Sequence, residues 1–215
     1  MKKKKSSLRK VWKFIWEDDS IWSWLLNIAI AFLLIKFLIY PGIGLILGTP
    51  FPIVAVVSES MEHGLHNGQL CGAHLDEFKY SFDNYWKTCG PWYEQHGITA
   101  DQFSTFPIKN GFNKGDVIIL MSAKNVKLGD VLVYKSSKPQ PIIHRTVRIY
   151  EEDGQTFYQT KGDHNRASIT SAPLNEARVT EDIIVGKGVV RIPYLGWIKI
   201  LFVEAVRPLG INIQR

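Results

Sequence analysis

Two serines one residue apart, Ser58 and Ser60, close the apolar run Val54-Ala55-Val56-Val57 and stand just before Met61. A strand period places both hydroxyls on one face, with Glu59 on the other. A hydroxyl is a weak nucleophile until a base accepts its proton, so the pair is half of a reaction centre. Six histidines are candidate bases. His63, His66, His74 and His96 lie in one irregular stretch; together with Cys71 and Cys89 they offer nitrogen and sulfur ligands, but their spacing fits no zinc pattern. Neither a metal nor a cofactor is expected there. His144 is different, because it sits in an alternating run, 141–150 (PIIHRTVRIY), with Thr146 and Arg148 on its face. An imidazole with an unperturbed pKa of about 6.5 can accept a proton at neutral pH. The turn Gly162-Asp163-His164-Asn165 adds a carboxylate able to orient that base.

The elements that must position these groups begin with a basic tail. Of the net charge of +6, the first 20 residues hold seven Lys or Arg against Glu17, Asp18 and Asp19. The remainder is nearly neutral and has no basic face with interleaved aromatics, so nucleic acid is not expected as a partner. Residues 21–40 (IWSWLLNIAIAFLLIKFLIY) then give 20 residues with Lys36 as the single charge. As a helix they would cover about 30 Å, the thickness of a bilayer core. Trp22, Trp24 and Tyr40 sit near the ends, as interfacial aromatics do. The lysine-rich tail puts the N-terminus in the cytoplasm and everything after Tyr40 outside, making a single-pass protein of the cell membrane. Pro41-Gly42-Ile43-Gly44 is expected to break the helix. Asn27 has no role in this scheme.

After 114 the pattern turns to β. Lys114-Gly115-Asp116 and Leu128-Gly129-Asp130 are near-repeats, each feeding an apolar strand, and further strands are expected at 141–150, 156–161 and 183–191. Residues 66–113 show no clear period and read as an aromatic-rich insertion, with short helices at 82–87 and 99–103. Cys71 and Cys89 are compatible with a disulfide or with two thiols. The fold expected is mainly β, behind one N-terminal transmembrane helix. Its divisions are a basic tail (1–20), the transmembrane helix (21–40), an exterior catalytic domain (41–196) and a C-terminal apolar, interfacial segment (197–215).

Four motifs, in order behind one anchor, carry a family resemblance: Ser58-Glu59-Ser60-Met61-Glu62, Gly129-Asp130-Val131, Pro141-Ile142-Ile143-His144-Arg145 and Thr160-Lys161-Gly162-Asp163-His164-Asn165. The chain resembles the type I signal peptidases, in the archaeal and endoplasmic-reticulum branch that has His where the bacterial branch has Lys, and most resembles an archaeal enzyme. The resemblance implies a membrane-bound serine endopeptidase that removes signal peptides from exported preproteins, working at the bilayer and beside the secretion translocon. It implies Ser60 as nucleophile, His144 as general base, and Ser58 with the Ser60 backbone N–H as oxyanion donors. The sequence departs from the family in having Glu59 between the serines, His63 where Pro is usual, and Ile169 where a further Asp is common. Asp163 is therefore taken as the residue that orients His144, with Glu176, Glu181 and Asp182 in reserve. Ile53, Val56, Ile142 and Ile143 are expected to wall the substrate cleft, where an extended peptide would add to a sheet edge. The other reading, prompted by Ile169, is an inactive membrane-anchored assembly module whose insertion binds a partner or zinc.

Overall fold

The computed structural model describes residues 3–137, 139–172, 174–206 and 208. The ends of the expected tail and of the C-terminal segment lie outside these residues. The chain divides into two compact units, Met1–Ile46 and Leu47–Arg215.

In the first unit, helix α1 (Lys3–Trp16) turns into α2 (Ile21–Leu34) at Ser20, whose hydroxyl caps the new helix by accepting the Ser23 N–H at 3.3 Å. The Ser23 hydroxyl donates to Phe14 O (2.6 Å) and the Asn27 amide to Ile15 O (2.9 Å). These carbonyls end α1 and have no partner within it. Asn27 therefore closes the corner between the two helices. A π-helical turn (Ile35–Ile39) leads into α3 (Tyr40–Leu47), so helix runs unbroken over Ile21–Leu47. It is 27 residues long, contains an 18-residue stretch of mean hydropathy 2.3, and is long and apolar enough to cross a membrane. The expected break at Pro41 does not occur. The wider turn before it ends with Tyr40 N–H bonded to Ile35 O, a spacing that accommodates a residue lacking its own N–H.

The second unit is built on strand β1 (Ile53–Ala55), a small hairpin of β2 (Gln69–Leu70) and β3 (Ala73–His74), helices α4 (Phe82–Gln95) and α5 (Ala100–Ser104), and then β4 (Val117–Met121), β5 (Val131–Tyr134), β6 (Ile142–Glu152), β7 (Gln155–Lys161), β8 (Ile184–Ile192) and α6 (Trp197–Val206). Six strands form one antiparallel sheet in the order β1-β4-β8-β5-β6-β7, as the β-rich reading expected. The Gly-Asp near-repeats are also repeats in space. Asp116 accepts the Asn113 N–H (2.8 Å), Asp130 accepts the Lys127 N–H (2.9 Å), and each preceding glycine has φ +88°. That conformation disfavours any side chain, and at Gly129 a Cβ would also collide with the Phe106 ring.

Alternation along β6 sends His144 and Arg145 to opposite faces. On the His144 face, Leu132, Tyr134, Tyr158, Leu174 and Val179 form one cluster. On the Arg145 face, Val56, Met61, Phe112, Ile118, Leu120, Val131 and Val133 form another. The insertion supplies a third, in which Tyr85, Cys89, Tyr93, Ile98, Phe103 and Phe106 pack with Val147 of β6. The first insertion helix is more than twice as long as expected and runs through Gly90-Pro91, with Trp86 filling the space a side chain at 90 would need. Cys71 and Cys89 are joined in a disulfide, 18 residues apart, which fastens α4 to the β2–β3 hairpin.

A loop of this length constrains the unfolded chain by about 3 kcal/mol. Replacing both cysteines by serine should lower unfolding stability by about that amount. Hydrogen exchange should show the loss first in α4, and unchanged protection there would contradict it.

Candidate active site

Segments distant in the chain meet around His144. The β6 register sets His144 opposite Leu132. Its Nε2 lies 2.9 Å from Ser60 Oγ, and its Nδ1 is hydrogen-bonded to Glu176 Oε1. Glu176 is fully buried and held from several sides. Its Oε2 accepts the Ile169 N–H at 2.6 Å, its own N–H donates to Ile169 O (2.7 Å), and its O accepts the Thr160 N–H (2.8 Å). The Tyr134 hydroxyl lies 3.4 Å from Oε1 and 2.9 Å from the Thr160 hydroxyl. Burial and the neighbouring Glu176 push the Tyr134 phenol well up, so it stays a donor. An ionised carboxylate only accepts, so Nδ1 carries the imidazole proton and Nε2 is free to accept from Ser60.

Ser60 does not lie on a strand. β1 ends at Ala55, the ladder continues through Val56 N–H to Asp116 O (2.8 Å), and the chain then turns, with Glu62 N–H on Glu59 O (3.0 Å). The serine hydroxyls nevertheless stand 3.2 Å apart. Glu59 points away to Lys114, 3.3 Å off. The turn is strapped by the 162–164 segment. His164 N–H donates to Ser60 O at 2.9 Å, and Asp163 N–H approaches Met61 Sδ at 3.3 Å. A Cβ on Gly162 would sit 2.7 Å from Ser60 O and 2.9 Å from His144 Nε2, so only glycine lets these segments come this close.

Asp163 was expected to orient His144, and it does not touch it. Its carboxylate accepts from Arg145 Nε at 2.9 Å and from Arg145 Nη2 at 2.7 Å, from the Tyr93 hydroxyl at 3.0 Å, and pairs with His63 Nε2 at 2.9 Å. Adjacent strand positions explain the difference: Arg145 faces the side of the sheet opposite to His144, and Asp163 follows Arg145. Arg145 and the His63 bond hold the Asp163 carboxyl far below the usual carboxylate range, against its complete burial. The carboxylate at His144 is instead Glu176, one of the reserves. Glu181 accepts the Tyr158 hydroxyl at 3.0 Å, and Asp182 is exposed. One signal favoured Glu176: it is the single acid in 164–180, flanked by Leu174 and Val179, which are buried.

The expected cleft walls do not converge as a group. Ile53 is exposed beside α6, where it lines a groove of about 510 Å³ with Ala55, Val117, Leu195, Ile198 and Phe202. Val56 is buried against Met61 and Phe112, so its side chain belongs to the core. Ile142 and Ile143 are half-buried on opposite faces of β6. The zinc arrangement is dispersed: both sulfurs are in the disulfide, His63 is bonded to Asp163, and His96 stacks on Trp92. Among the described residues no group of three His, Cys, Asp or Glu comes together as metal ligands.

Lys161 is buried beneath this turn. Its ammonium lies over Tyr93 (4.7 Å) and Trp92 (5.2 Å) and donates to Gly162 O (3.0 Å). Burial outweighs the attraction of Asp163 and Glu176 and lowers its pKa from 10.5 to about 8. Between these values the unfolded chain binds the extra proton, so this group makes stability rise with pH across that window. The gain should reach about 2 kcal/mol by pH 9.5 in urea unfolding, and Lys161→Met should abolish the rise. A separate test is Gly162→Ala. It should move Ser60 away from His144, read as a shift of the His144 imidazole ¹⁵N resonances in the folded protein, and unshifted resonances would contradict it.

No family model matches the chain. It is 32% identical over 155 residues to the signal peptidase complex catalytic subunit sec11 of Schizosaccharomyces pombe, covering 69% of the chain and 66% of that protein. It is 31% identical over 99 residues to the SEC11 subunit of Candida tropicalis (44% of the chain, 60% of the relative). The SEC11 subunit of Yarrowia lipolytica is 33% identical over 97 residues (43% and 56%). The chain thus spans just under two thirds of the first of these relatives and somewhat more than half of the others. The sheet-rich core is consistent with the signal peptidase fold, and over the shared region the chain is a homologue of the signal peptidase catalytic subunits of the type I family.

Proposed function

We propose that this chain is a membrane-bound serine endopeptidase that cleaves signal peptides from exported preproteins. The observation that carries the reading is the hydrogen-bonded series Ser60 Oγ, His144 Nε2, His144 Nδ1, Glu176. It has the parts of a nucleophile, a base and an orienting acid. In the proposed reaction Ser60 Oγ attacks the scissile carbonyl carbon and its proton passes to His144 Nε2. The C–N bond then breaks as His144 returns that proton to the leaving amine. Water, deprotonated by His144, releases the acyl group and restores Ser60. The Ser58 hydroxyl and the Ser60 backbone N–H are the proposed donors to the oxyanion, and the 3.2 Å approach of the two hydroxyls favours that. Glu176 stabilises the imidazolium and holds the tautomer.

The fungal relatives are named as signal peptidase catalytic subunits, and that name supports signal-peptide cleavage here. An archaeal source is part of the same reading and rests on the 141–145 motif, whereas the relatives compared are fungal. The lysine-rich start supports a cytoplasmic N-terminus and an exterior catalytic unit, with the translocon as a neighbour. The inactive-module reading began from the missing Asp at 169. Glu176 beside His144 supports the active reading over that one.

A preprotein cleavage assay tests this. Ser60→Ala and His144→Ala should each abolish processing, and Glu176→Gln should lower kcat about 10²- to 10⁴-fold by disturbing the imidazole tautomer. Full processing by Ser60→Ala would end the proposal. Wild-type kcat in Glu176→Gln would remove Glu176 from the mechanism.

A further inference from the structure

His63 stands where the family usually has proline, and the proposed reaction does not use it. It is three residues after Ser60, is nearly fully buried, and belongs to the same turn. Its ring stacks face to face on Tyr85 of α4 (3.7 Å between centroids, 8° between planes). Its Nε2 meets Asp163 Oδ2 at 2.9 Å. Because Arg145 keeps Asp163 an acceptor, this nitrogen carries a proton. The other nitrogen, Nδ1, is buried without a partner among the described residues. Burial, with the positive charges of Arg145 and Lys161 in the neighbourhood, disfavours a second proton there, so the ring is neutral. The Tyr80 and Phe103 rings lie further off, with centroids at 5.9 and 6.3 Å, and Gly111 stands against the ring edge, where a Cβ would come within 2.9 Å of Nε2.

Two further bonds join the same two segments, His164 N–H to Ser60 O (2.9 Å) and His164 Nδ1 to Glu62 O (3.2 Å). The 60–63 turn is thus attached to the 162–164 segment at both of its ends. Gly162 in that segment sets how near Ser60 comes to His144. We infer that His63 is a positioning residue: through Asp163 it locks the Ser60 turn to the Gly162 segment, and the disulfide-bonded insertion acts on the nucleophile through the Tyr85 stack. This rests on the proposed peptidase reading.

The test compares full-length wild type, Ser60→Ala, His63→Met, His63→Gln and Tyr85→Leu in detergent with a preprotein substrate. His63→Met should lower kcat on the order of 10²-fold with KM within threefold. His63→Gln retains an N–H for Asp163 and should recover most of that loss. Tyr85→Leu should also lower kcat alone. Imidazole ¹⁵N resonances of His144 should shift in His63→Met and return in His63→Gln, a readout that needs no turnover. Wild-type kcat or unshifted His144 resonances in folded His63→Met, or wild-type kcat in Tyr85→Leu, would overturn the inference. If wild type and Ser60→Ala behave alike, the peptidase reading fails, and the His144 resonances still decide the positioning role.

Discussion

The buried pair of Arg145 and Asp163 is the interaction on which the rest of the sheet unit depends. Both side chains are fully buried, and every donor of Arg145 has a partner. Its Nη1 donates to Pro107 O and Gly129 O, its Nη2 to Ile108 O, and its Cζ lies 5.0 Å from the Phe103 ring centroid. One guanidinium therefore ties β6 to the end of the insertion, to the Gly129 turn and to the 162–164 segment. A pair of this kind adds little net stability against an apolar substitute, but leaving one partner alone costs about 3–5 kcal/mol. What it contributes here is register. The planar fork accepts few arrangements of three carbonyls and one carboxylate, so the surrounding loops have few alternatives.

The two buried carboxylates show how neighbours assign work. Asp163 faces a fixed cation and is committed to scaffolding. Glu176 faces an imidazole, a backbone N–H and a phenol, none of them a fixed cation. The sheet separates the two environments through the alternation of His144 and Arg145, neighbours in sequence that look to opposite sides.

Much of this was legible in the sequence. The Gly-Asp turns, the alternating 141–150 run and the apolar segment from Ile21 each follow from a local period, and they appear as the strands and helix expected. The Ser60–His144 contact was inferred from residue types in a recognised order. Glu176 stands out in the sequence only as the single acid of the 164–180 loop, because its place is decided by the packing of that loop, through Leu174 and Val179, onto Leu132, Tyr134 and Tyr158. The role of Asp163 was misassigned since proximity to His144 in a motif says nothing about which face of the sheet a turn residue reaches. Pro41 misled for a related reason: a local breaker signal was overridden by a wide turn immediately before it.

Ile169 gives Glu176 a backbone N–H and its own side chain is partly exposed, so the carboxylate at His144 is held by main chain. The identity of residue 169 is then largely free for the chemistry, as any amino acid with an amide hydrogen can fill the post. Proline alone is barred. A chain judged by whether aspartate occupies that position would be judged on the wrong atom.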